Sequence, residues 1–439
     1  MTLRGLRTRL LFVWVMASVT RVFSQGSEGL SSFDKEKFEQ WQKQGSREQI
    51  PWKIRLFSTG PSFHQRLSCH IEIEADADHI LKHSKTGRVI AMIQLTDSKG
   101  EVFRNDGKIE LAEMEKVRNA NVVFSWDAFV LPGDYSAELA LFDPQSEEHN
   151  FARQRLRIPA LKSDPLADAW QGLPSVEYLA PKDYKDIDRL FHPDIDGKLK
   201  LQMATKRPLR IELLADFTPS EIFAGSHTAY TAYLAGVIPT LKVFSQIMLP
   251  NGKLDVATLN LKDKKVVFEE EINSQSHANA STESDTTPNG LDWTRLKNSL
   301  KESDPSTVNV RVLQDRHPTP VFLRDELVRR ITAGSTKVAR DKSPPLRVYV
   351  LLSGSLDTYS FNGPVFSPIP ESLPEQCGCL IYYLEYEFFW GRTAVLKTTS
   401  KVEKMFKPFK VRAFTVSSAN DVRRAIATIL DEIAKADSD

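Results

Sequence analysis

The chain has 439 residues, 41% hydrophobic and 26% charged, with 58 basic against 57 acidic side chains and a net charge of +1. That is globular composition at a length of two or three domains. The charge balance, with no basic stripe interleaved with aromatics, argues against a nucleic-acid-binding surface. The glycine and proline content excludes a fibrous or wholly disordered chain.

The first element reads as an export signal over 1–24. Arg4, Arg7 and Arg9 precede an apolar run from Leu10 to Val19, and Val22 and Ser24 offer small positions before Gln25. The run falls short of the ~20 residues a bilayer span needs. An uncleaved anchor is the rival reading. No later stretch is apolar for long enough to span, so the protein is expected to be exported, periplasmic or secreted, with no integral span beyond this segment.

Residues 25–49 are polar, with one short helix in "SFDKEKFEQWQKQ". From 50 to 161 the signals are strands. "RLSCHIEIEAD" alternates with period two, and "RVIAMIQLTDSKGEVFRN" reads as strand, turn, strand. "NVVFSWDAFVLPGDYSAELALFDPQSEEHNFARQRLRIPAL" supplies three more strands, punctuated by Pro, Gly and Asp. Short strands with turns every 8–12 residues predict an all-β sandwich, structural or adhesive in role. Within it, His79 and His83 would share a face if "DADHILKHSK" were helical. No third ligand lies at a metal spacing in the sequence, so these histidines and His70 are read as solvated. Cys69 alternates with polar neighbours and reads as a core residue of a strand. Cys377-Gly-Cys379 is too sparse for zinc. Three cysteines allow one disulfide in an oxidising compartment, and which pair forms it, if any, is open.

Residues 162–205 read as a connector, with one strand in "KLKLQMATKRP". From 206 to 439 the pattern changes. "LRIELLAD" is a near-continuous apolar strand, and "SHTAYTAYLAGVIPTLKVFSQIML" a helix with a kink expected at Pro239. "KLDVATLNL" and "KVVFEEEI" form a hairpin, followed by a low-complexity loop over 273–290. Then come the helix "LDWTRLKNSLKE", the strand "TVNVRVL", the helix "VFLRDELVRRITAG" ending at its glycine, and the buried strands "LRVYVLLSGS" and "CGCLIYYLEYEFF". The strand "KVRAFTV" and a last helix capped by Ser417 or Ser418 close the chain. Strands alternating with helices predict a doubly wound α/β sheet with an antiparallel edge hairpin.

The strand "LRIELLAD" ends in Asp216-x-Thr218-x-Ser220, a carboxylate and two hydroxyls at alternate positions. Such a run is either helix-start chemistry, with Thr218 or Ser220 as cap and Pro219 in the first turn, or half of a hard-metal site. Together with the element order, this motif resembles the von Willebrand factor A domain over roughly 208–437. The phrases "RPLRIELLADFTPSE", "LDWTRLKNSL" and "FVLPGDY" are similar to A-domain-related exported proteins of acidobacterial type.

The resemblance implies a site at the carboxyl ends of the strands. There Asp216, Thr218, Ser220 and a second-loop threonine, matched loosely by Thr319, would hold Mg²⁺, and a partner's carboxylate would complete the shell. It implies a family that binds proteins without catalysis. At the third ligand position the family has Asp in "TDG", where this chain has Ser353 in "LSG", with Asp357 four residues on. The metal site is therefore expected to be degenerate, with no cofactor, and Mg²⁺ is the one ion the motif would take. The expected function is an exported, non-catalytic adhesion or scaffold module for a protein or cell-surface ligand. The competing reading is an α/β hydrolase with Ser355 of "LLSGSLD" as nucleophile and His317 as the nearby base. It lacks the glycine that a nucleophile elbow needs two residues on.

Overall fold

A computed structural model describes residues 35–83, 86–114, 121–179, 190, 199–203, 205–218, 227–273, 291–301, 319–338, 344–354, 366–387, 402 and 404–438. It is a multidomain, mixed α/β structure with four sheets. The chain divides into two compact units. Met1–Phe57, His70–Trp126 and Tyr135–Leu156 form the first, and Ser58–Cys69, Asp127–Asp134 and Arg157–Asp439 the second.

The predicted strands of the amino-terminal half form as β1 (Trp52–Pro61), β2 (Leu67–Asp76), β3 (Arg88–Thr96), β4 (Val102–Glu110), β5 (Asn121–Val130), β6 (Gly133–Phe142) and β7 (His149–Ile158). They make two four-stranded sheets, β1-β2-β5-β8 and β4-β3-β6-β7. The arrangement is consistent with a sandwich-like domain. β8 (Val176–Tyr178) comes from the stretch read as connector and pairs antiparallel with β5.

β3 does not follow the period-two rule, because residues of both parities are buried, Val89, Ala91 and Ile93 as well as Ile90 and Met92. The reason is α1 (Lys35–Gln44), whose Phe38 and Trp41 cover one face of this sheet and pack with Ile90, Met92, Ala140, Phe142 and Phe151. Cys69 is fully buried on β2, and burial, with the charge of Asp127, pushes its thiol up to about 12. That is an inert core thiol, as its alternation predicts.

In the second unit the turn between β1 and β2 is held by the last helix. Gln65 donates its side-chain N–H to the Ala419 carbonyl at 3.2 Å, and the Gln65 carbonyl accepts from Trp170 Nε1 at 2.8 Å and Arg423 Nη1 at 3.2 Å. Arg423 also makes a two-pronged pair with Asp164, at 2.6 and 2.8 Å. The "connector" thus supplies Asp164, Trp170 and β8 to packed structure.

The six-stranded sheet has the order β13-β12-β10-β14-β15-β16. Its strands are β10 (Leu209–Asp216), β12 (Gly252–Asn260), β13 (Lys265–Asn273), β14 (Leu346–Gly354), β15 (Leu380–Tyr386) and β16 (Val411–Val416). β10 is parallel to β12 and β14, and β14, β15 and β16 are parallel in turn. Among the described strands of this sheet, only β12–β13 is antiparallel, the expected hairpin. A small pair, β9 (Leu201–Gln202) with β11 (Ile247–Met248), stands apart. The expected strand at 307–313 and the loop over 274–290 lie outside the described residues.

Short helices α2 (Ala77–His83) and α3 (Leu111–Met114) belong to the first unit. The second has α4 (His227–Ser245), α5 (Trp293–Lys301), α6 (Thr319–Val338), α7 (Leu373–Cys377) and α8 (Ala419–Ser438). On β15, Ile381 and Tyr383 pack in one cluster with Leu323, Leu327 and Ile331 of α6. Tyr386, of the other parity, meets Tyr233 of α4 with ring centroids 6.3 Å apart. The sheet is therefore covered on both faces, which explains why its strands read as continuous apolar runs. α4 runs unbroken through Pro239. α8 begins with a reciprocal cap in which Ser418 Oγ accepts from Asp421 N at 3.4 Å while Asp421 Oδ2 accepts from Ser417 N at 3.1 Å.

α6 corrects one expectation, since it continues past Gly334 to Val338 instead of ending there. A Cβ at Gly334 would lie 1.9 Å from the guanidinium of Arg347. The glycine admits that buried cation against the helix backbone, where Arg347 donates to the carbonyls of Ile331 and Arg330, both at 3.1 Å, and to Glu212 at 3.2 Å. Cys377 and Cys379 form a disulfide, closing the question their spacing left open.

Candidate functional site

β10 and β14 are parallel neighbours at the centre of the six-stranded sheet, and they end side by side at Asp216 and at Ser353-Gly354. The carboxyl edge of a parallel sheet is where such sheets present ligand-binding groups, because the loops that leave it diverge to opposite faces. The structure brings Asp216, Thr218 and Ser353 together at this edge. Ser353 Oγ donates to Asp216 Oδ2 at 2.9 Å, and the Thr218 amide donates to Asp216 Oδ1 at 2.8 Å. The second contact is an Asx turn, in which an aspartate captures the amide two residues on. The Thr218 hydroxyl accepts from the Leu261 amide at 2.5 Å, tying this loop to the β12–β13 turn. The helix start that Thr218 was expected to cap lies outside the described residues.

Tyrosines close the edge from within. Tyr233 Oη donates to the Asp216 carbonyl at 2.6 Å and accepts from the Gly354 amide at 3.0 Å, bridging the two strand ends. Tyr230 Oη donates to the Phe217 carbonyl at 2.7 Å, and Tyr383 Oη donates to the Gly354 carbonyl at 3.1 Å. Phenol rings on α4 and β15 thus fix the backbone at the site, and burial raises the ionisation of Tyr233 and Tyr383 well above the ordinary phenol range. These phenols remain neutral donors at physiological pH.

Asp216 is buried, and desolvation lifts its carboxyl from 3.8 to about 6 despite the opposing hydrogen bonds from Thr218 and Ser353. Glu385 of β15, fully buried and in register with Ser353, is an acidic residue at this edge that sequence reasoning did not single out. Its signal was faint: one acid in an otherwise apolar run, "LIYYLEY".

Thr319, the loosely matched second-loop residue, is the first residue of α6. Ser220 lies outside the described residues, as do Ser355, Asp357 and His317. Mg²⁺ asks for about six hard oxygens in octahedral array. Here both Asp216 oxygens and the Thr218 hydroxyl already serve protein partners, and the position that would add a charged ligand is a serine hydroxyl aimed at Asp216. Of the five residues assigned to the motif, the described ones bring Asp216, Thr218 and Ser353 together, with one carboxylate among them.

No family model matches the chain, and no curated protein matches it. Among solved structures it is similar to the PilB minor pilin from Streptococcus sanguinis, at 10% identity over 81% of this chain and 90% of that one, with a TM-score of 0.27. It is also similar to a family 123 glycoside hydrolase from Clostridium perfringens, at 9% identity over 84% of this chain and 73% of that one, with a TM-score of 0.26. Likenesses this distant carry no argument about fold or function. Among the described residues, no helix is long and apolar enough to cross a membrane.

Proposed function

We propose that the carboxy-terminal part is a doubly wound, von Willebrand A-like domain with a degenerate metal site. In this reading the chain is an exported, non-catalytic interaction protein, and the carboxyl edge of the sheet meets a protein or surface ligand. The observation that supports this reading most is the Ser353–Asp216 hydrogen bond. It puts a neutral hydroxyl in the place of a charged ligand, at the edge of a sheet whose order and single antiparallel edge strand suit that fold. Partner binding at such an edge rests on shape and neutral hydrogen bonds instead of a shared cation.

Titration calorimetry with Mg²⁺ tests the metal half of this reading. Wild type is expected to give no saturable heat, and Ser353→Asp is expected to gain a binding isotherm, because it restores a carboxylate beside Asp216. Saturable wild-type binding that Asp216→Ala abolishes would replace the proposal with metal-dependent adhesion. The interaction half is tested by immobilising the chain from Gln25 onward and measuring capture from the exporting cell's envelope fraction. A captured protein, repurified, is expected to rebind equally with and without EDTA.

A further inference from the structure

The sequence leaves His79 and His83 without a third ligand, and the fold supplies one. The stretch read as a solvated loop is the helix α2, so the two histidines, four residues apart, share a face. Glu148, from the turn between β6 and β7, meets them there. Its Oε2 lies 3.3 Å from His79 Nε2 and 3.6 Å from His83 Nδ1, and the two imidazole rings are 4.6 Å apart at their centroids. One ligand atom from each of the three residues falls within 4.8 Å of the others.

These separations have a chemical meaning. Bonds of 2.0–2.1 Å at tetrahedral angles place neighbouring ligand atoms about 3.3 Å apart. The two carboxylate–imidazole distances are already close to that edge length. Two imidazoles and one carboxylate form a borderline nitrogen–oxygen set that suits zinc, with the fourth position left to water.

The backbones that carry these ligands are braced. Asp76 Oδ1 accepts from the His79 amide at 3.0 Å, fixing the start of α2. In the opposing turn, Asp143 accepts from the Gln145 amide at 2.9 Å and from Ser146 Oγ at 2.8 Å, and Ser146 Oγ accepts from the Glu148 amide at 3.3 Å. His79 and Glu148 side chains are about one quarter exposed and His83 less than half, so an ion can reach the site from solvent while the ligands stay partly ordered. His83 Nδ1 also faces the His79 carbonyl at 3.0 Å, a contact it would exchange for the ion.

We infer that His79, His83 and Glu148 form a zinc site on the first unit, one that clips α2 to the β6–β7 turn. It is independent of the carboxyl-edge site and of the function proposed for it. The test is calorimetry of the untagged full chain with zinc chloride, together with visible absorption of the cobalt(II)-loaded chain. The expected result is one zinc per chain and the intense absorption of four-coordinate cobalt. Changes outside the ligand set already cost tenfold or more in affinity, so His79→Ala, His83→Ala and Glu148→Gln are each expected to lose at least about tenfold. His70→Ala, outside the cluster, is expected to bind like wild type. Circular dichroism identifies a variant that fails to fold, and the two remaining ligand variants then carry the comparison. Absence of zinc binding in wild type, or wild-type affinity in folded ligand variants, would overturn the assignment and leave the cluster as an ion pair alone.

Discussion

Arg347→Ala is expected to destabilise the second unit by about 3–5 kcal/mol, the usual cost of breaking a buried ion pair from one side. Arg347 is buried at the start of β14, where it donates to Glu212 and to two carbonyls of α6 and stacks its guanidinium near Tyr349. Removing it leaves the buried Glu212 with Arg330 and Arg210, each 3.7 Å away, and takes a charged second donor from the carbonyls of Arg330 and Ile331. The measurement is urea unfolding, read as a shift in midpoint at constant slope.

Gly334→Ala sharpens this prediction, because its sign should be reversed from the usual one. Replacing a helical glycine by alanine ordinarily stabilises by ~1 kcal/mol. Here the new methyl group would occupy the space of the Arg347 guanidinium, so the same change should destabilise by ~3 kcal/mol, a loss like that of breaking the pair. In an Arg347→Ala background the clash is gone, and Gly334→Ala should again stabilise by ~1 kcal/mol. Additive effects in that double-mutant cycle would show that the glycine is not there to admit the arginine.

Asp216→Asn is expected to stabilise the protein at pH 8 by ~3 kcal/mol and to have no effect near pH 4. Burial lifts the Asp216 carboxyl from 3.8 to about 6, which corresponds to ~3 kcal/mol at 1.36 kcal/mol per pH unit. The folded state therefore holds the Asp216 proton more tightly than the unfolded chain. Stability from this group is complete below about pH 4, declines as pH rises to about 6, and is level above that. Asparagine, isosteric and neutral, keeps an acceptor for the Thr218 amide and removes the ionisation penalty. The check is the pH profile of unfolding free energy for both proteins, with and without Mg²⁺. Equal profiles, or a wild type that Mg²⁺ makes the more stable of the two, would mean that the carboxylate is wanted charged.

Much of this architecture was legible because local chemistry specifies it. The period-two runs of β2 and β5, the Asp-Ser-Lys-Gly turn between β3 and β4, the hairpin of β12 and β13, and the Ser418 cap of α8 each depend on residues within a few positions of one another. The continuous apolar runs of β10 and β14 likewise announced strands covered on both sides. The carboxyl-edge cluster was half legible. Asp216 and Thr218 are neighbours in a motif and Ser353 follows an apolar run, but no local pattern shows that Ser353 points its hydroxyl at Asp216.

By itself, then, the sequence determined the element types, the switch from strands to alternating strand and helix, and the candidate acid at the end of β10. Periodicity and turn chemistry are properties of a short window of chain. Tertiary structure decided what depends on residues far apart. It brought Glu148 to a histidine pair about 70 positions earlier, and it set Arg347 into the gap at Gly334, converting an expected helix stop into a helix interior. It placed β8 and Trp170 of the apparent connector in packed structure, and it spent the oxygens of Asp216 on Thr218 and Ser353. Each of these is a contact between groups that only the folded backbone brings within a few ångströms, and the burial that raises the Asp216 carboxyl arises in the same way.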